Sequence, residues 1–77
     1  MSHHYLNAER LLCPMPVIRT QDKVKQLQAG DTLAISCTDP GALHDIPAWA
    51  RIHGHEITEQ QTREAGWVIT VRVGASH

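Results

Sequence analysis

The chain has 77 residues, 42% of them apolar and 19% charged, and its formal net charge is −1. This length supports one domain with one small core, so we predict a single domain over residues 1–77, with flexible ends at 1–4 and 74–77. Seven Lys and Arg residues against eight Asp and Glu residues leave no basic excess, which argues against binding to nucleic acid or to a membrane. Two cysteines and the lack of a secretory signal pattern favour a cytoplasmic location.

The first two predicted elements are a strand and a helix. Apolar side chains between Tyr5 and Leu12 indicate the strand, although they alternate poorly. A helix follows from Pro16 and is predicted to end at Gly30, a residue that suits a left-handed C-terminal cap. The apolar residues of this helix recur at helical spacing and comprise Val17, Ile18, Val24 and Leu27.

The middle of the chain predicts a strand, a turn and a second helix. Thr32–Thr38 alternates regularly, and its core-facing side consists of Leu33, Ile35 and Cys37. Asp39-Pro40-Gly41 has the composition of a turn. The second helix is predicted from about Asp45 or Pro47 to His53, with Asp45 as its N-cap, because proline is tolerated only in the first turn of a helix.

The last part of the chain predicts a hairpin. Glu56–Thr62 is polar and suits an edge strand, Arg63–Gly66 forms the turn, and Trp67–Val73 alternates as the final strand. The element order is therefore β-α-β-α-β-β. We predict an α+β fold, a two-layer α/β sandwich in which a four-stranded mixed sheet with a parallel first pair carries both helices on one face.

The segment Cys13-Pro14-Met15-Pro16 stands at the predicted junction between the first strand and the first helix. Each proline favours an extended conformation in the residue before it, so this corner is expected to be stiff. Pro16 suits the first position of the helix, and an earlier helix start is not expected. Cys13 is thereby predicted to lie exposed just before a helix N-terminus.

Such a position predicts a reactive thiol. Unpaired N–H groups of the first helical turn, such as those of Val17 and Ile18, are expected to favour the thiolate of Cys13. Asp39 follows the second strand at the same edge of the sheet, so it is predicted to neighbour the thiol, where it would orient a basic group of a partner. The alternatives are that Cys13 fills space as a small apolar residue and that Asp39 only shapes a turn.

Several short strings resemble the TusA/SirA/YedF family of sulfur carriers in order and spacing. They are Leu11-Leu12-Cys13-Pro14-Met15-Pro16-Val17, Gly30-Asp31-Thr32-Leu33, Asp39-Pro40, Asp45-Ile46-Pro47 and Gly54-His55-Glu56. The resemblance spans residues 5–73 and implies the same two-layer fold. It also implies that Cys13 accepts sulfane sulfur as a persulfide, without a cofactor, from a cysteine desulfurase or another donor protein. The sulfur would pass to an acceptor protein in tRNA thiolation, molybdenum-cofactor sulfuration or sulfur metabolism.

Two positions depart from that family pattern. Arg10 stands where many members have glycine, and Cys37 stands where many have an aliphatic residue. We interpret Cys37 as a core residue. Two other hypotheses remain open: a redox switch that pairs Cys13 with Cys37, and a regulatory interaction module in which Cys13 is structural.

The remaining candidates concern partners and metals. Arg19 and Lys23 lie four residues apart in the first helix, and they form either a solvated face or a docking patch for an acidic partner. Pro14 and Pro16 are assigned to shaping the loop around the thiol. The histidines lack the spacing of a structural zinc site, so we expect no metal.

Overall fold

The computed structural model describes residues 1–75 and shows four strands and two helices. Their bounds are β1 (His3–Ala8), α1 (Met15–Val24), β2 (Thr32–Cys37), α2 (Ala42–Ile52), β3 (Glu56–Arg63) and β4 (Gly66–Arg72). The predicted α+β sandwich in the order β-α-β-α-β-β is confirmed. In the described part of the chain, neither helix has the length and apolar character needed to cross a bilayer.

The sheet places the strands in the order β1-β2-β4-β3. β1 and β2 are parallel, and β4 is antiparallel to both of its neighbours, β2 and β3. The polar strand β3 lies at an edge, as predicted, where its outward groups meet water. Since α1 and α2 follow the parallel-running strands β1 and β2, both helices begin at the edge of the sheet where those two strands end.

The core lies between the helices and one face of the sheet. Its largest fully buried aliphatic side chains come from β2, α2 and β4, and they are Leu33, Ile35, Ile46, Ile69 and Val71. Removal of this apolar surface from water is the main term that stabilises the fold. Cys37 is 1% exposed and belongs to the same cluster, as predicted for a core residue.

The first helix differs from its prediction at both ends. It begins at Met15, one residue earlier than expected, because a proline at the second helical position lacks only an N–H that the first turn leaves unpaired. It ends at Val24 rather than near Gly30. Beyond Val24 the chain forms tighter turns, in which the Leu27 N–H donates to the Val24 carbonyl at 3.0 Å. The buried Leu27 extends the apolar pattern through these turns, which explains the longer prediction.

The second helix begins earlier than predicted, and Asp45 is not its N-cap. The helix starts at Ala42 with Gly41 as the N-cap, so Asp45 lies inside the first turn. Pro47 lies within the helix, beyond the first turn. Proline has no N–H, so the Leu43 carbonyl lacks its usual intrahelical donor, while the neighbouring Ile46 is fully buried in the core.

The beginning of the chain forms part of the sheet, and the expected flexibility of residues 1–4 stays a prediction. His3 and His4 lie in β1, and the backbone N–H of Thr32 donates to the Ser2 carbonyl at 2.9 Å. Asp31 accepts the backbone N–H of Ser2 at 2.9 Å. At the other end, the Gly74 N–H donates to Nδ1 of His55 at 2.9 Å, whereas the expectation for residues 76 and 77 lies outside the described residues.

Asp31→Ala is expected to lower the melting temperature at neutral pH and to lower it by less in acid. The backbone N–H groups of Gln28 and Ser2 donate to the Asp31 carboxylate and hold its pKa below 3.8. A pKa depressed by folding stabilises the protein above 3.8 and loses that contribution as the pH falls through the folded-state value. Thermal unfolding of both proteins at about pH 7 and pH 2 tests this. A difference that persists unchanged at low pH would contradict it, and Asp22→Ala, on an exposed helix position, is the control.

Candidate functional site

The candidate site is the loop that joins β1 to α1, and Cys13 lies in it with its side chain exposed. The Met15 N–H donates to the Leu12 carbonyl at 2.8 Å, which closes a turn around Cys13. Pro14 is the residue before the first helical position, and Pro16 lies buried within the first turn. The two prolines therefore fix the path of the chain on both sides of Met15 and leave the thiol at the surface.

Asp39 lies beside Cys13, as its position after β2 predicted. Its Oδ2 atom accepts the backbone N–H of Cys13 at 2.8 Å. The backbone carbonyl of the same residue accepts the N–H of Ala42, the first residue of α2, at 3.0 Å. This carboxylate thus joins the β1–α1 loop to the start of α2 and holds Cys13 against that helix.

Asp45 is the site residue that sequence reasoning missed. The Cys13 thiol donates a hydrogen bond to the Oδ2 atom of Asp45. The contact arises because α2 begins at Ala42, which directs the first helical turn toward the loop of Cys13. The signal in the sequence was the Asp45-Ile46-Pro47 string, and its interpretation as a helix cap concealed the contact with the thiol.

The electrostatics of Cys13 contradict the prediction of a stabilised thiolate. Its pKa is raised from 9.0 to about 11, first by the hydrogen bond to Asp45, then by lost hydration and by the negative charges of Asp45 and Asp39. The Ile18 N–H, expected to favour the anion, donates to the Pro14 carbonyl at 3.2 Å. Two carboxylates at the sulfur therefore outweigh the partial charge of the helix N-terminus, and the thiol is the resting form at neutral pH.

Solvent reaches the Cys13 thiol past Gly41, which has no side chain, and two exposed aliphatic side chains lie in the neighbouring loop and helix turn. A Cβ atom added at Gly41 would lie 3.4 Å from the Cys13 Sγ atom, so a larger side chain there would begin to cover the sulfur. Leu12, next to Cys13, is 73% exposed, and Ile18 in the first turn of α1 is 44% exposed. Solvent can therefore reach the sulfur, and the loop and the first turn of α1 each carry an exposed aliphatic side chain.

Arg19 and Lys23 lie on α1, where Arg19 is exposed and Lys23 is half-buried. Between residues 1 and 75, the ion pairs join His4 to Asp31 and Arg72 to Glu56, so neither cation of α1 is paired. The charges that act on the Cys13 thiol are those of aspartates. The structure thus places Arg19 and Lys23 outside the group formed around the thiol.

Cys37 and the histidines do not extend the site. Cys37 is buried, and burial raises the pKa of its thiol, with a smaller effect from Asp39. A disulfide with Cys13 would require this side chain to leave the core. Within residues 1–75, groups of three or more His, Cys, Asp or Glu side chains that could hold a metal do not occur.

Arg10→Gly is expected to stabilise the protein by about 0.5–1 kcal/mol, because Arg10 adopts a left-handed backbone conformation with φ of 67°. Its backbone N–H donates to Oγ1 of Thr38 at 2.9 Å, a hydrogen bond that glycine keeps. Urea unfolding measures the change. Arg51→Gly, inside α2, should instead destabilise by about 1 kcal/mol. Equal losses in both variants would contradict the expectation.

The structure defines a class of small thiol proteins, in which a rigid loop at the edge of an α/β sandwich presents one exposed cysteine. Comparison with known proteins gives the family. The model of the family described as sulfurtransferase TusA matches residues 4–73. The chain belongs to this TusA family, as the resemblance in its motifs predicted.

Curated relatives support the assignment. The chain is 41% identical over 59 residues to "Putative sulfur carrier protein YrkI" of Bacillus subtilis, covering 77% of this chain and 79% of that protein. It is 37% identical over 67 residues to the sulfur carrier protein TusA of Pseudomonas syringae, covering 87% of this chain and 80% of the relative. A match to YrkF of Bacillus subtilis has 47% identity over 51 residues, or 66% of this chain and 28% of that longer protein.

Proposed function

We propose that Cys13 is the sulfur-bearing residue, which accepts a sulfane sulfur as a persulfide and transfers it to an acceptor protein. The observation that carries this proposal is the exposed Sγ atom in a loop braced by two prolines, at the edge where both helices begin. A sulfur carrier needs a thiol that another protein's cysteine can reach twice, once to load it and once to unload it. Cys37, which is 1% exposed, does not meet that requirement.

The transfer step balances without an added oxidant or cofactor. The Cys13 thiolate attacks the outer sulfur of a donor persulfide, R–S–SH, and a bond forms between Sγ and that sulfur. The donor's S–S bond breaks, and its thiolate leaves and takes up a proton in place of the one that Cys13 lost. The net change is that Cys13–SH and R–S–SH become Cys13–S–SH and R–SH, and the same exchange in the opposite sense delivers the sulfur.

The partners follow from this chemistry. The donor is a cysteine desulfurase or another protein that presents a persulfide, and the acceptor is a protein thiol in tRNA thiolation, cofactor sulfuration or sulfur metabolism. Leu12 and Ile18 provide apolar surface for a transient contact with either. Asp39 is proposed to contact the partner's basic groups, and Arg19 and Lys23 are proposed to contact acidic ones, farther along α1. We place these exchanges in the cytoplasm, where thiols stay reduced.

Incubation with a cysteine desulfurase and L-cysteine is expected to add about 32 Da, one sulfur atom, to the intact protein. Cys37→Ser should gain the same mass, since its side chain lies in the core, whereas Cys13→Ser should gain none. A later incubation with a reducing thiol should return the mass to its starting value. Loading that persists in Cys13→Ser, or that is absent from the wild-type protein, would contradict the proposal.

A further inference from the structure

Asp45 accepts a hydrogen bond from the Cys13 thiol. The reacting sulfur therefore lies against a negative charge, which an exposed cysteine alone would lack. The contact joins the reacting sulfur directly to a carboxylate that is half-buried in the first turn of α2. A second carboxylate, that of Asp39, accepts the Cys13 N–H at 2.8 Å. The sulfur thus faces negative charge from α2 and from the loop that precedes it.

Neither carboxylate is neutralised by a positive side chain of the described chain. Over residues 1–75 the ion pairs involve other acids, Asp31 and Glu56. Backbone N–H groups and solvent, rather than a cationic side chain, therefore face the negative charge at the thiol in the free protein. Deprotonation of Cys13 would add a third negative charge to the same place, which Coulomb repulsion disfavours.

We propose that Asp45 makes the nucleophilicity of Cys13 depend on a positive charge brought by the incoming sulfur donor or acceptor. Between transfers the carboxylate holds the thiol protonated and slow to react with oxidants and other small electrophiles. An ammonium or guanidinium group beside the partner's reactive sulfur pairs with Asp45 and releases the thiol for attack. This inference rests on the proposed function of Cys13 and names the kind of partner surface that the site accepts.

The first test is the pH profile of Cys13 alkylation by iodoacetamide, carried out in the Cys37→Ser background. The wild-type rate should level off near the pKa of about 11, and that of Asp45→Asn at a lower pH, above the ordinary 9.0 because burial and the Asp39 charge still raise the pKa. Each unit by which the pKa falls gives about tenfold more thiolate and about threefold less intrinsic nucleophilicity, so the Asn variant should react between about threefold and about tenfold faster near neutral pH. Asp22→Asn, which removes an exposed acid of α1, should leave the profile unchanged.

The second test compares a cationic with a neutral electrophile. Cystamine, which carries two ammonium groups, should react with wild-type Cys13 faster than 2-hydroxyethyl disulfide does, and Asp45→Asn should lower that ratio about threefold. In the wild-type protein the ratio of the cystamine rate to the 2-hydroxyethyl disulfide rate should fall as salt increases from about 0.05 M to about 1 M. This measurement does not depend on the folding of any variant.

Superimposable pH profiles, or a cystamine preference that neither salt nor Asp45→Asn alters, would overturn the inference. Both reactions use small molecules and involve no sulfur carriage. Normal persulfide loading together with unchanged profiles would therefore contradict the role of Asp45 alone. Shifted profiles together with a failure to load would contradict the proposed function of Cys13 alone.

Discussion

Between about pH 7 and pH 11 the alkylation rate of Cys13 is expected to rise by a factor of about 5 × 10³. The physical reason is the pKa of about 11 that the Asp45 hydrogen bond and the nearby negative charges impose on the thiol. Well below that pKa, the thiolate fraction increases tenfold with each pH unit, and only the thiolate attacks. Iodoacetamide and quantitative mass spectrometry measure the rate, with Cys37→Ser as the background.

The contrary outcome is a rate already on its plateau near neutral pH. That result would mean that the helix N-terminus controls the sulfur, as the sequence alone predicted, and that the two carboxylates do not. Urea-unfolded protein is the control for the intrinsic behaviour of this thiol. Its alkylation should level off near the ordinary cysteine pKa, below the pH at which the folded protein does.

Ile46→Ala is expected to destabilise the protein by about 2–5 kcal/mol. Ile46 is fully buried in α2, and its removal leaves a cavity between the helix and the sheet. A domain of this size has a total unfolding free energy of roughly 4–12 kcal/mol, so the expected loss is a large fraction of its stability. Because Asp45 is the preceding residue, a loosened α2 should also weaken the contact of Asp45 with Cys13.

Chemical denaturation of both proteins gives this free-energy difference. The matched control is Ile52→Ala, the same substitution in the same helix at a position that is 78% exposed. It should change the unfolding free energy by less than about 0.5 kcal/mol. Similar losses at the two positions would show that burial against the sheet does not determine the stability of α2.

The sheet and the core could be predicted from the sequence because their signals are periodic. The alternation in β2 and β4 identified the buried faces, including Cys37, and the polar composition of β3 placed it at an edge. The exposure of Cys13 followed from its position between a strand and a proline-containing helix start. These features depend on local chain geometry, which composition and spacing record directly.

The charge environment of Cys13 could not be predicted in the same way. It depends on where α2 begins, which is Ala42. Because Pro47 is expected in the first turn of a helix, the predicted start of this helix lies too late in the chain, at Asp45 or Pro47. A shift of one helical turn changes Asp45 from a backbone cap to a partner of the thiol. The backbone conformation of Arg10 could not be predicted either. The sequence shows that arginine stands where many family members have glycine, but not that this residue keeps a left-handed φ of 67°.

The position of the transferred sulfur tests the central claim most directly. After loading by a cysteine desulfurase, the protein is alkylated with iodoacetamide and digested, and the peptides are analysed by mass spectrometry. We predict that the additional sulfur, about 32 Da, is found on the peptide that contains Cys13, between its Sγ atom and the acetamide group. An additional sulfur on the Cys37 peptide, or on neither, would contradict the assignment of Cys13 as the sulfur carrier.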